Sequence, residues 1–142
     1  MTEFRSILCP VDLSPSARAA LLVAREMADR FDAQLTIVFV DDPLLSQAAL
    51  KFDEDELARR TRAELARFVE EAIGPRERCA YEIVAGDPAT EIINAVNRLA
   101  AGLIVMGTQG NSGPKRLFFG STADAVLRRS TVPVLVVPPK GR

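Results

Sequence analysis

Histidine and tryptophan are both missing from this chain of 142 residues, and Tyr81 is its one tyrosine. Without histidine there is no ordinary general base, no imidazole metal ligand and no switch titrating near neutral pH. So few stacking rings argue against a flavin carrier. Cysteine is scarce: Cys9 and Cys79 stand alone, with no paired spacing. That excludes a disulfide framework and a zinc cluster. An excess of basic charge is missing too, since 18 Lys and Arg face 19 Asp and Glu for a net −1. A dedicated nucleic-acid binder carries a basic surplus, so no nucleic-acid partner is expected. No apolar run is long enough to span a bilayer, and no membrane partner is expected. The opening Met1-Thr2-Glu3-Phe4-Arg5 shows no charged-then-apolar signal peptide, which makes the cytoplasm the expected location.

What is present is a steady alternation of strand-like and helix-like segments. The length suits one domain over 1–142 with a real core. Phe4 to Val11 reads as a buried strand. Ser14-Pro15 then offers an N-cap and a proline at the first helical position. Ala17, Ala20, Leu21, Ala24, Met27, Ala28 and Phe31 follow at helical spacing. Gln34 to Val40 is a second strand. Asp53-Glu54-Asp55-Glu56 opens a second helix, with acids where the dipole favours them, and Gly74-Pro75 stops it. Cys79 to Ala85 is a third strand. Asp87-Pro88 repeats the cap-and-proline start, and Gly102 is placed to end that helix. Leu103 to Met106 is a fourth strand, 107–119 a long loop, Ser121 to Ser130 a helix and Val132 to Val137 a fifth strand. Strands joined by helical crossovers predict one α/β domain: a five-stranded parallel sheet with helices on both faces, Rossmann-like. The last strand is apolar on both faces. Placed at a sheet edge, it predicts a homodimer through Val132–Val137.

The chemistry gathers where strands empty into loops. Leu103-Ile104-Val105-Met106 runs into Gly107-Thr108-Gln109-Gly110, and nine residues later Gly120-Ser121-Thr122 opens a helix. Glycine lets backbone N–H groups approach an anion, and a helix N-terminus adds donors and partial positive charge. This pattern predicts a nucleotide. In an open parallel sheet a ligand sits beyond the carboxyl ends of the strands. Pro10, Val11 and Asp12 end the first strand, Val40 and Asp41 the second, and Met106 and Gly107 the fourth. With the first and fourth strands as neighbours, these residues share one crevice. The Asp12 carboxylate would accept from ribose hydroxyls, and backbone near Pro10 and Val40 would meet an adenine edge. Gly110, Gly120, Ser121 and Thr122 would meet phosphates, with Gly120 in a backbone conformation reserved for glycine. Lys115 and Arg116 would add positive charge. Two plainer readings stand beside these: Asp12 capping the turn into the first helix, and Ser121 as an N-cap.

Ile7-Leu8-Cys9-Pro10-Val11-Asp12 with Ser14, and Gly86-Asp87-Pro88-Ala89-Thr90-Glu91-Ile92-Ile93, resemble segments of the universal stress protein family. So do 103–110 with Leu117-Phe118-Phe119-Gly120-Ser121-Thr122-Ala123, and the closing Val132-Pro133-Val134-Leu135-Val136-Val137. The resemblance covers nearly the whole chain, and its spaced glycines are those of the ATP-binding members. It implies the strand order 3-2-1-4-5, a dimer, and ATP with magnesium or manganese. Asp12 matches the acid on the ribose and adenine side and Val40 the adenine backbone contact. Gly107, Gly110, Gly120, Ser121 and Thr122 match the phosphate cradle. Gln109 departs from a frequently basic or aromatic position, and Gly102 stands where an acid is common.

The function expected is a nucleotide-dependent sensor or regulatory module in a stress response. Two alternatives remain open: a protein–protein module that binds no ATP, and a slow ATPase or phosphotransfer protein. No Walker lysine is present, because Arg116 rather than Ser or Thr follows Lys115. A dehydrogenase would need its glycine fingerprint after the first strand, where Asp12-Leu13-Ser14 stands.

Overall fold

The computed structural model describes residues 4–41, 54–74, 79–108 and 120–139. Its elements are β1 (Ser6–Val11), α1 (Pro15–Phe31), β2 (Gln34–Asp41), α2 (Glu54–Ile73), β3 (Cys79–Ala85), α3 (Pro88–Leu99), β4 (Leu103–Gly107), α4 (Ser121–Arg129) and β5 (Val134–Val137). All ladders are parallel, and the strand order is β3-β2-β1-β4-β5. The order implied by the resemblance is the one observed, with β5 at an edge.

Side chains of β1 alternate between two cores, as the two-residue period of a strand requires. Ile7, Cys9 and Val11 join Leu35, Ile37, Leu103 and Val105 beneath α1 and α2. Leu8 joins Val38, Ile104 and Met106 beneath α3 and α4. Fully burying an aliphatic side chain of this size stabilises by about 1.5–3 kcal/mol. Those two layers therefore hold the sheet from both sides, with α1 and α2 on one face and α3 and α4 on the other.

Helix starts follow local chemistry. Ser14 caps α1, its hydroxyl oxygen accepting from the Ala17 N–H at 3.1 Å, with Pro15 leading the helix. Asp87 caps α3 by accepting from the Thr90 N–H at 3.1 Å, and Pro88 follows. The other ends are set by tertiary contacts. Helix α3 stops at Ala100, which takes φ 52, and not at Gly102. Ala101 N–H closes on the Val96 carbonyl at 3.0 Å, while Gly102 N–H donates to the Ser6 carbonyl at 2.8 Å and ties β4 to β1. Phe4 lies outside β1 and meets Phe31 edge to face at 5.2 Å. Strand β5 starts at Val134 because the Ser130 hydroxyl engages both the N–H and the carbonyl of Val132. The last turn of α2 carries no base of its own. Helix α1 supplies two: Arg18 Nη2 donates to the Glu71 carbonyl at 3.1 Å and Arg25 Nη1 to the Ile73 carbonyl at 3.5 Å. They meet the negative end of the α2 dipole.

Candidate functional site

The ladder between β1 and β2 runs over six pairs, from Ser6↔Gln34 to Val11↔Phe39. Between β1 and β4 only Ile7↔Leu103 and Leu8↔Ile104 are paired. Beyond Leu8 no ladder pair joins the two strands, so they part there, and the crevice that an open α/β sheet offers at its switch point falls between their carboxyl ends. Pro10, with no N–H to give a neighbour, sits in this stretch. The winding reverses here too, which is where an open α/β sheet takes its ligand.

Asp12 follows β1 directly and is half-buried. Its Oδ1 accepts from the Ser14 N–H at 3.1 Å. The turn-capping role is thus present, and it holds the carboxylate at the mouth of the crevice. Leu13, between them, takes φ 67, a left-handed conformation that costs a side-chain-bearing residue about 1–2 kcal/mol. Val40 lies one step beyond the last β1–β2 pair and is laddered to Val84 on β3. Asp41 accepts at its carbonyl from the Gly86 N–H at 3.1 Å, closing the rim on that side. Pro10 and Val11 are buried, as is Met106, which points into the α3–α4 core.

Gly107 ends β4 against the first turn of α1. A Cβ on it would stand 2.3 Å from Ser16 Oγ and 2.8 Å from the Ser16 carbonyl carbon and oxygen. The demand for glycine here comes from close helix–strand approach, a requirement that motif spacing did not disclose. Gly120 N–H donates to the Thr108 carbonyl at 2.6 Å, which brings the start of α4 to the end of β4. Gly120 has φ −66 and ψ 166, so its backbone is an ordinary extended one and the expectation of a glycine-only conformation is wrong. Gly120, not Ser121, is the N-cap; Ser121 is the first helical residue and is exposed, while Thr122 is half-buried. Where α1 and α3 are sealed by Ser14 and Asp87, α4 begins on a residue with no side chain to do so. Gln109, Gly110, Lys115 and Arg116 lie outside the described residues.

Among the described residues, charge near the site is modest. Asp124 in the first turn of α4 pairs with Arg128 at 3.0 Å. Asp87 is held below the usual carboxylate range, first by the Thr90 N–H and hydroxyl and then by Arg129 nearby. Burial pushes the Cys9 thiol well above its usual range, which leaves it a small core residue. No group of three His, Cys, Asp or Glu side chains capable of holding a metal occurs among the described residues. A shallow cavity of about 330 Å³ lined by Arg62, Leu65, Ala66, Tyr81 and Ile83 lies between α2 and β3, away from the crevice. No helix among the described residues is long and apolar enough to cross a membrane.

The model of the universal stress protein family matches residues 3–138. A universal stress protein of Thermus aquaticus is 36% identical over 135 residues, covering 94% of this chain and 98% of its own length. Among solved structures, the universal stress protein UspA of Lactobacillus plantarum superposes with a TM-score of 0.75 at 30% identity, covering 96% of this chain and 99% of its own. A universal stress protein solved in complex with cAMP gives a TM-score of 0.70 over 98% of this chain and 100% of its own, and at 23% identity it speaks for the fold alone. With the matched model spanning almost every residue, the chain belongs to the universal stress protein family.

Proposed function

We propose that this universal stress protein binds an adenine nucleotide, ATP with magnesium or manganese, and acts as a nucleotide-dependent sensor or regulatory module in the cytoplasm. The observation that carries the reading is the α4 N-terminus. It starts on Gly120 without a side-chain cap and is bonded to the end of β4 beside the parting of β1 and β4. A bare helix start at a switch point is a seat for phosphate. In this arrangement Asp12 accepts from the ribose, and backbone at Pro10, Val11 and Val40 borders the adenine. Met106 and Gly107 form the wall. Gly110, Gly120, Ser121 and Thr122 take the phosphates. The metal would arrive with the nucleotide, as the counter-ion of its phosphates. The cAMP complex of a protein with this fold makes cAMP a second nucleotide to test. A homodimer through the β5 edge completes the reading, with Leu135 37% exposed on that strand.

Nucleotide released on denaturing the purified protein, identified by mass spectrometry, is the first test. Calorimetry with ATP and magnesium, and separately with cAMP, is the second. Asp12→Ala is expected to weaken binding about tenfold or more, roughly 1.4 kcal/mol. Absence of both binding heat and thermal shift at millimolar nucleotide refutes the assignment and favours an interaction module. ADP production abolished by Asp12→Ala would move the protein to the slow hydrolases. Light scattering that shows a monomer refutes the dimer.

A further inference from the structure

Among the described residues, three other than glycine take positive φ: Leu13 at 67, Asp32 at 53 and Ala100 at 52. Two of them close helices. Asp32 ends α1 and Ala100 ends α3, each with its N–H on the last-turn carbonyls, the ordinary left-handed stop. Leu13 closes nothing. It stands between Asp12 and the α1 cap, and leucine has no local hydrogen bond with which to favour this conformation. The chain around it is pinned on both sides. Ser14 N–H is held by Asp12 Oδ1 at 3.1 Å, Ser14 Oγ holds the Ala17 N–H at 3.1 Å, and the Ser14 carbonyl holds the Arg18 N–H at 3.0 Å. The Leu13 side chain is half-buried against the core under α1 and α2. Packing thus fixes a backbone bend that the residue would not choose, and it does so at the rim of the crevice. Strain kept in place in this way collects where a group must be aimed.

We infer that Leu13 is a positioning residue for the nucleotide crevice: its left-handed bend sets the Asp12 carboxylate at the mouth. This rests on the nucleotide reading above. The bend and the side chain make opposite demands, which lets them be separated. Leu13→Ile and Leu13→Val keep an apolar side chain but reject positive φ, because branching at Cβ crowds it. Leu13→Asn and Leu13→Gly accept positive φ and lose the apolar contact. ATP affinity by calorimetry, with circular dichroism to verify folding, is the measurement. If aim depends on the bend, Ile and Val weaken binding about tenfold or more, while Asn and Gly stay within about threefold of the native chain. Affinity that follows side-chain hydrophobicity, with Ile and Val native-like and Asn and Gly weak, overturns the inference and leaves the nucleotide reading standing. A native chain that binds no adenine nucleotide overturns both. Should the branched variants fail to fold, the Asn and Gly arms decide: a tenfold loss in both refutes the role of the bend.

Discussion

Gly107→Ala tests whether that glycine serves packing or ligand. The new Cβ would lie 2.3 Å from Ser16 Oγ and 2.8 Å from the Ser16 carbonyl carbon and oxygen. The hydroxyl can turn away, but Ser16 is only 4% exposed and its carbonyl belongs to the α1 backbone. Relief therefore requires the first turn of α1 to shift from β4. Overpacking of this kind costs about 1–3 kcal/mol. At an unfolding entropy of about 2.1 cal/mol/K per residue, a chain of 142 residues loses about 7 °C of Tm for about 2 kcal/mol. The assay is thermal and urea unfolding of protein stripped of nucleotide. Ser16→Ala in the same chain removes the hydroxyl contact and leaves the two backbone contacts, so the double variant is expected to regain part of the loss and not all of it. An unchanged Tm for Gly107→Ala in nucleotide-free protein refutes the packing argument. Full recovery in the double variant shows that only the hydroxyl mattered.

Asp87 is held below its usual pKa chiefly by the Thr90 N–H and hydroxyl. A carboxylate with a lowered folded pKa stabilises above its unfolded value and loses that contribution as pH falls through the folded one. Melting curves are therefore expected to separate the native chain from Asp87→Asn at neutral pH and to converge in acid; a constant gap refutes the assignment. Arg25 Nε is buried without a hydrogen-bond partner, and the Arg25 bond to the Ile73 carbonyl is long at 3.5 Å. An unmet buried donor costs about 1–3 kcal/mol, so Arg25→Met, which keeps the apolar stem, is expected to leave urea stability equal or higher; a loss beyond about 1 kcal/mol contradicts this. Cys9 is fully buried and Cys79 half-buried. A thiol reagent should label Cys79 alone in the native state and both in denaturant, and rapid native labelling of Cys9 would disprove its place in the core.

Legibility in the sequence followed the range of the interactions. Ser14-Pro15 and Asp87-Pro88 announce α1 and α3 because a cap bonds to the backbone three residues on. Helix α3 ends at Ala100 and not at Gly102, because that glycine is engaged by Ser6, a contact formed only when β1 and β4 meet. Parallel strands and crossovers came from periodicity, whereas strand order required the resemblance, since no local signal places β4 beside β1. Of the candidate site, the placing of Asp12, Val40 and Gly107 at strand ends and of Gly120 at the start of α4 was legible from the elements alone. Three features were not. The parting of β1 and β4 is a matter of ladder register. The need for glycine at 107 lies in Ser16, far away in the chain. The left-handed Leu13 opposes leucine's own preference, so propensity points away from it.

The sheet is stapled at one edge of β1 and open at the other. At the amino end, Arg5 and Ser6 carbonyls accept from Gln34 and Gly102 at 2.8 Å each, so both neighbours are clamped where the strands begin. Past Leu8 no ladder pair joins β1 to β4. The geometry is that of a clothes-peg. Spreading its jaws would break no rung between these strands past Leu8. Hydrogen exchange would record this as slow amides near the clamp grading to faster ones toward the tips.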